Sequence, residues 1–166
     1  SVDDSAVGYG LNFSTNLYFG PGASELKFAI VGGQGIQNYM NDATVDLGIE
    51  SCGNNCIEDV TIPMVGTTLF YDVWWTVQFS STIGFSTLDI DNRDLDAGTN
   101  LKNGRYALAN LLYYPASNVM FGAEVQYGKR ENYGENSRAD DAPDFDYDIW
   151  RIQFSARYNF SFGLGG

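Results

Sequence analysis

The sequence predicts an all-β fold, an antiparallel transmembrane β-barrel represented by about seven strands and so a partial barrel. Three observations predict it. The last patterned stretch, 150–160, alternates: Trp150, Ile152, Phe154, Ala156, Tyr158 and Phe160 share one parity, and Arg151, Gln153, Ser155, Arg157 and Asn159 share the other. Neighbouring side chains of a strand point to opposite faces, so this strand is apolar on one side and polar on the other. Rings stand at both ends of the apolar side, where membrane–water interfaces collect them. The strand-like stretches run to about ten to thirteen residues, close to the roughly nine to eleven of a tilted membrane strand and well above the five or six usual in globular sheets. Finally, connections alternate short and long along the chain, as barrels alternate short periplasmic turns with long extracellular loops.

Each element follows from the same rule. Stretch 7–19 places Val7, Tyr9, Leu11, Phe13, Leu17 and Phe19 on one parity, and Gly20-Pro21-Gly22 supplies a tight turn. A second strand, 24–33, sets Leu26, Phe28 and Ile30 against Lys27 and Ala29. The pattern fails over 34–59, expected to be a long irregular extracellular loop. A third strand is expected over about 60–71, with Pro63 speaking against a regular ladder there, and a short turn at Asp72-Val73. The fourth strand, 74–88, opposes Trp75, Val77, Phe79, Ile83 and Phe85 to Thr76, Gln78, Ser80, Thr82 and Ser86. A second long loop at 89–103 precedes a fifth strand, 104–114, and a turn at Pro115-Ala116-Ser117. The sixth strand, 118–130, carries Val119, Phe121, Ala123, Val125 and Tyr127 opposite Glu124, Gln126 and Arg130. A third, acidic loop at 131–148 leads to the last strand. Residues 1–166 therefore read as one barrel segment. If the last strand descends to the periplasm, the first must descend too, and an N-terminal part of the barrel is expected to be missing.

Composition narrows the function. The net charge of −12 argues against nucleic acid, whose phosphates demand a basic face. There is no His, which removes the commonest general base and metal ligand; an enzyme is not expected. No stretch approaches the roughly 18 to 20 apolar residues of a membrane helix. The mean hydropathy of −0.21 does not decide, because every second residue of a barrel strand faces the lumen. No signal peptide opens the chain, so an exported protein would be represented by a mature or truncated sequence.

The stretches Tyr106-Ala-Leu-Ala-Asn-Leu-Leu-Tyr-Tyr-Pro115, Asn118-Val-Met-Phe-Gly-Ala-Glu-Val-Gln-Tyr-Gly-Lys-Arg-Glu-Asn132 and Arg151-Ile-Gln-Phe-Ser-Ala-Arg-Tyr-Asn-Phe160 resemble the C-terminal end of DcaP-like porins. These are bacterial outer-membrane channels associated with dicarboxylates and similar small anions. Looser likeness extends the resemblance over about 26–160. It implies a porin-type barrel of about sixteen strands, commonly a homotrimer, of which this chain would be about the C-terminal half, in contact with outer-membrane lipid and lipopolysaccharide.

The candidate chemistry is lumenal charge. By parity Lys27, Glu124, Arg130, Arg151 and Arg157 point inward. Arginine forks two donors onto a carboxylate, which suits small anionic solutes; the alternative is that these cations pair with wall acids and brace the barrel. Cys52 and Cys56 enclose Gly53-Asn54-Asn55. Two thiolates without His make a poor metal site, and export favours a local disulfide. Asp89, Asp91, Asp94 and Asp96 lack the glycine and distal Glu of a calcium loop. These residues, and Asp140, Asp141, Asp144, Asp146 and Asp148, read as solvated acidic loops, with Ca2+ or a divalent bridge to lipopolysaccharide as the alternative. No other metal or cofactor is expected.

The function predicted is a passive diffusion channel for small hydrophilic solutes. Two alternatives stay open: a structural or adhesive surface barrel, and a soluble β-sandwich that binds carbohydrate. The inward glycines and serines, including Gly8, Gly10, Ser14, Ser80, Gly84, Gly122 and Ser155, are expected to leave room for water and so favour the channel.

Overall fold

The computed structural model describes residues 6–20, 24–40, 47–53, 56–92, 100–132 and 146–161. Seven strands form one antiparallel sheet: β1 (Tyr9–Phe19), β2 (Ser24–Gln34), β5 (Pro63–Thr76), β6 (Phe79–Ile90), β7 (Leu101–Ala116), β8 (Val119–Asn132) and β9 (Tyr147–Tyr158), each paired with its neighbour in that order. The edges are β1 and β9, and the sheet is open between them. A separate two-stranded hairpin, β3 (Leu47–Gly53) with β4 (Cys56–Thr61), lies between β2 and β5, preceded by a single 3₁₀ turn, η1 (Gln37–Tyr39).

Register carries the two-faced pattern from strand to strand. One row runs Phe13–Ile30–Thr67–Thr87–Arg105–Lys129–Asp148 and a lower one Leu17–Leu26–Tyr71–Ile83–Ala109–Val125–Ile152. Between and below them on the same face lie Phe28, Leu69, Phe85, Tyr127 and Trp150, then Phe79, Tyr113, Phe121 and Ala156. The large side chains of this face are bare even on interior strands: Ile83 is 62% and Phe121 49% exposed, against 71% for Ile152 on the edge. A continuous apolar surface of this breadth marks an interaction with something other than water. The soluble sandwich would need a second sheet to cover it. Among the described residues the other sheet is only the β3–β4 hairpin.

The buried core sits on the opposite face, at the end of the sheet that carries the long connections. Ile36, Ile62, Met64, Leu88, Ile90 and Leu101 form one cluster, with Val31 and Met40 packed against it. Residues 36–40 therefore fold back over the polar face instead of standing away from it. Asn92 closes the edge of this cluster: its side-chain amide donates to the Leu101 carbonyl at 2.9 Å, tying the end of β6 to the start of β7.

Several expectations are corrected. The 34–59 stretch is not irregular throughout, since it holds β3, β4 and η1. The strand expected over about 60–71 is divided at Ile62, as Pro63 suggested: residues 60 and 61 end β4 and Pro63 begins β5, a position where its missing N–H costs little. The turn expected at Asp72-Val73 lies at Val77 and Gln78. There the Thr76 Oγ1 accepts hydrogen bonds from the backbone N–H of Gln78 (3.1 Å) and Phe79 (3.2 Å), and one residue of β5 bulges between Trp74 and Thr76. Strands β6, β7, β8 and β9 reach two or three residues into the expected loops 89–103 and 131–148. The inward glycines also do something else than expected. A Cβ on Gly84 would overlap the ring of Phe70, its cross-strand partner; Gly10 is covered by Ile36 and Gly122 by Leu112. They are seats for neighbouring side chains, not openings for water.

Gly84 supplies the test of this arrangement. Gly84→Val should destabilise the fold by about 1–3 kcal/mol through overpacking, read as a lower urea midpoint in detergent. Adding Phe70→Ala should recover most of that loss. A single variant as stable as the parent would mean that Phe70 does not lie over Gly84.

Candidate functional site

The polar face is built as a ladder of side chains that runs across the strands. In one row lie Lys27, Phe70, Gly84, Leu108, Gln126 and Arg151; in the next lie Glu25, Asp72 and Thr82, continued by Asn110, Glu124 and Gln153. Strand alternation sends all of them to one side. The Lys27 ammonium donates to Asp72 at 2.6 Å and lies 3.4 Å from Glu25. The Thr82 backbone N–H donates to the Asn110 side-chain oxygen at 2.8 Å, and the Asn110 amide donates to Glu124 at 3.3 Å. Gln126 donates to the other Glu124 oxygen, and Arg151 donates to Gln153 at 2.7 Å. Polar groups thus run from β2 to β9 in hydrogen-bonded sets, one on β2 and β5, one on β6 to β8 and one within β9.

The five sequence-predicted lumenal charges share this face but differ in setting. Lys27 is held between two acids, which is the bracing alternative. Both Glu124 oxygens accept amide hydrogens. Arg151 and Arg157 make no ion pair among the described residues. Arg130 donates its Nε hydrogen to Asn132 at 2.8 Å and lies level with Gly104 and Tyr147. The arginines do not converge. Arg151 pairs with Gln126, four residues along β8 from Arg130, a backbone separation of about 13 Å at 3.3 Å per residue. Arg157 lies opposite Met120, toward the short turns. Acids collect on the β2 and β5 side, and Arg151 and Arg157, without an ion pair among the described residues, on the β9 side.

Sequence reasoning missed three contributors. Asp72 was placed in a turn, although a lone acid inside Leu69-Phe70-Tyr71 and Val73-Trp74-Trp75 is the signal of an inward position in a strand. Asn110, which donates to Glu124, sits at a regular alternate position and is readable only once cross-strand register is known. The folded-in segment 36–40 carried no periodic signal.

A hollow of about 650 Å³ lies against the same face, over Gly66, Ser86, Gly104, Tyr106 and Gly128 and beside Met40. Of the proposed Ca2+ ligands, Asp94 and Asp96 lie outside the described residues. Asp89 accepts a hydrogen bond from Asn103, and no cluster of three or more potential metal ligands occurs among the described residues. The acidic residues Asp140, Asp141 and Asp144 likewise lie outside them. Cys52 is the extra residue between the pairs Ser51–Ile57 and Gly53–Cys56 of the β3–β4 hairpin; the side chains of both cysteines, and hence their pairing, lie outside what is described.

No family model and no curated protein matches this sequence. The crystal structure of the outer membrane channel DcaP of Acinetobacter baumannii is similar, with a TM-score of 0.71 at 17% identity over 92% of this chain. The fold is that of a porin wall. The chain spans 41% of the length of that channel, and what it matches is a protein named for conduction, not for catalysis.

The balance of charge on this face gives a measurable expectation. The Lys27–Asp72 pair is partly exposed, with side chains 43% and 29% accessible, so Asp72→Asn should change stability by less than about 1 kcal/mol. A loss much larger than this, measured by urea unfolding in detergent, would show that the pair carries the fold.

Proposed function

We propose that this chain forms the wall of an outer-membrane diffusion channel of the DcaP-like porin kind, passing small hydrophilic solutes with a preference for anions. The observation that carries the reading is the two-faced sheet: one side a broad exposed apolar surface, the other a hydrogen-bonded polar belt, in a fold shared with a known channel. The apolar side of β9 and the residues after it run from Trp150 to Phe160, about 33 Å at 3.3 Å per residue. A strand tilt of about 40° reduces this to about 25 Å, the height of the apolar band of an outer-membrane barrel. Rings stand at both limits. Tyr127 and Trp150 lie 4.9 Å apart at the long-loop end, and Phe79 and Tyr113 stack at 4.8 Å toward the short turns, which suits the two interfaces.

On this reading the polar belt faces water inside the channel, and Arg151, Arg157 and Arg130 outnumber Glu124 on β8 and β9, favouring anions by local potential. The partners are outer-membrane lipid and lipopolysaccharide, and two further copies in a homotrimer. Further strands complete the barrel. Cys52 and Cys56 form a disulfide that stiffens the hairpin tip.

Reconstituted in a planar bilayer, the full protein should give stepwise ion currents whose reversal potential in a KCl gradient indicates chloride preference. Arg151→Glu should move that potential toward cation preference, and an unchanged potential would remove Arg151 from the conduction path. Phe121→Arg should impair insertion, because a charge at mid-band costs about 2–4 kcal/mol, while Gln126→Arg on the polar side should not. Equal tolerance of both would contradict the assigned faces. Thiol labelling of the unfolded, unreduced protein should find Cys52 and Cys56 blocked.

A further inference from the structure

We propose that the apolar face of the sheet holds, at the long-loop end of β7, a binding site for a phosphorylated, acylated glycolipid of the outer leaflet, centred on Arg105; the inference rests on the channel reading. Arg105 is exposed and lies on the apolar parity, one row above the ring pair Tyr127–Trp150. Such rings mark the membrane–water interface, so Arg105 stands at headgroup level. Its direct cross-strand partner is Lys129, and like charges placed opposite one another oppose pairing. The acids nearby are taken by other groups. Glu131 receives the Lys129 ammonium, which also lies 3.5 Å from Asp146, and Asp89 receives the Asn103 side-chain amide. Asp148 stands on the far side of Lys129, two strand spacings or about 10 Å from Arg105. Arg105 and Lys102 both act on Glu131 from further away, so three cations gather about that carboxylate. The Arg105 Nε donates to the Asn103 side-chain oxygen at 2.9 Å, which fixes the plane of the guanidinium, and Arg105 makes no ion pair among the described residues. Its terminal nitrogens remain as a planar fork for an anion.

The surface beneath selects which anion. On the same face of β7, Ala107 and Ala109 follow Arg105 toward the short turns, ahead of Leu111. They pair with Phe85 and Ile83 of β6 on one side and with Tyr127 and Val125 of β8 on the other. The larger side chains flank the alanines, and a shallow apolar furrow leads down from the guanidinium. A free phosphate would satisfy Arg105 and leave this furrow bare. A zwitterionic phospholipid would bring its own ammonium beside Lys129. A phosphate monoester on an acylated sugar answers both parts: Arg105 forks its donors onto the phosphate, and an acyl chain covers the alanines between Phe85 and Tyr127, burying apolar surface.

Hexa-acylated, bisphosphorylated lipid A is the probe, with dephosphorylated lipid A, phosphatidylethanolamine and inorganic phosphate as comparators. Each is titrated against the full protein in detergent, with adducts read by native mass spectrometry; conductance of the same preparation is recorded separately in a planar bilayer. Lipid A should bind about tenfold or more tighter than each comparator, the size expected for one charge-assisted contact. Arg105→Gln should bring lipid A down to the level of its dephosphorylated form. Ala109→Trp, which fills the furrow, should weaken lipid A binding several-fold. Should a variant fail to fold, the ratio of lipid A to dephosphorylated lipid A on the unaltered protein reads the same contact. Equal binding of those two forms, or lipid A affinity unchanged in both variants, would overturn the site. Inorganic phosphate binding as tightly as lipid A would overturn the lipid assignment. A conducting protein that holds lipid A no better than phosphatidylethanolamine would remove the site and leave the channel standing. Lipid A held through Arg105 without conductance would support the site and count against the channel.

Discussion

Cross-strand register is the constraint on which the rest of this molecule depends. Across the sheet one parity is apolar and the other mostly polar, with apolar exceptions such as Phe70, Leu108 and Leu112 on β5 and β7, so a slip of one residue between two neighbours would exchange the faces of all strands beyond it. The pairs Leu69–Phe85, Ala109–Val125 and Val125–Ile152 keep apolar side chains together, and the pairs Asp72–Thr82, Asn110–Glu124 and Glu124–Gln153 keep polar ones together. Each set is satisfied only if the other is. The hydrogen bond from Asn110 to Glu124 then acts as a check on register: it exists only when β7 and β8 meet in phase.

The same constraint explains where the small residues fall. Phe70 and Leu112 are large apolar side chains on the polar face. Each is accommodated by a glycine directly across the strand boundary, Gly84 for Phe70 and Gly122 for Leu112. A ring laid over a cross-strand glycine covers backbone that would otherwise be poorly packed. It also removes an apolar surface from the water side. Gly104 and Gly128 have no such neighbour, and the hollow lies above them. Glycine on this face therefore has two uses, and only three-dimensional pairing separates them.

Much of the fold was legible because alternation is a local signal. The seven strands of the sheet correspond in number and order to the seven read from the sequence. What was lost had no local signal. The turn after β5 rests on the Thr76 hydroxyl and a bulge beside it, whereas Asp72-Val73 has the composition of a turn but is paired on both sides, with Ser24 and Glu25 of β2 and with Ser81 and Thr82 of β6. The β3–β4 hairpin lacks a clean alternation, and the inward fold of residues 36–40 depends on Ile62, Met64 and Leu88, which are distant in sequence. Of the candidate site, the face of each charge could be read from parity. The partners of Lys27 and Glu124, and the separation of Arg130 from Arg151, needed the register between strands.

The count of strands limits what can complete the sheet. Antiparallel neighbours alternate in direction, so in an array of seven the outer strands β1 and β9 run the same way. Closing the sheet on itself would force a parallel pair at the seam. A second copy related by rotation about the barrel axis would do the same, since β9 of one copy would meet β1 of the other with the same direction. In hydrocarbon an unpaired edge costs several kcal/mol for each exposed backbone group, so edges as long as β1 and β9 cannot stay bare there. An all-antiparallel closure therefore requires an odd number of added strands, which makes the total even, as bacterial single-chain barrels are. The edges impose a second condition. A strand that meets β1 must continue the apolar row of Leu11, Phe13 and Leu17 on one side and the small polar row of Asn12, Ser14 and Asn16 on the other, so the pattern of any such neighbour is already written on the edge it would cover.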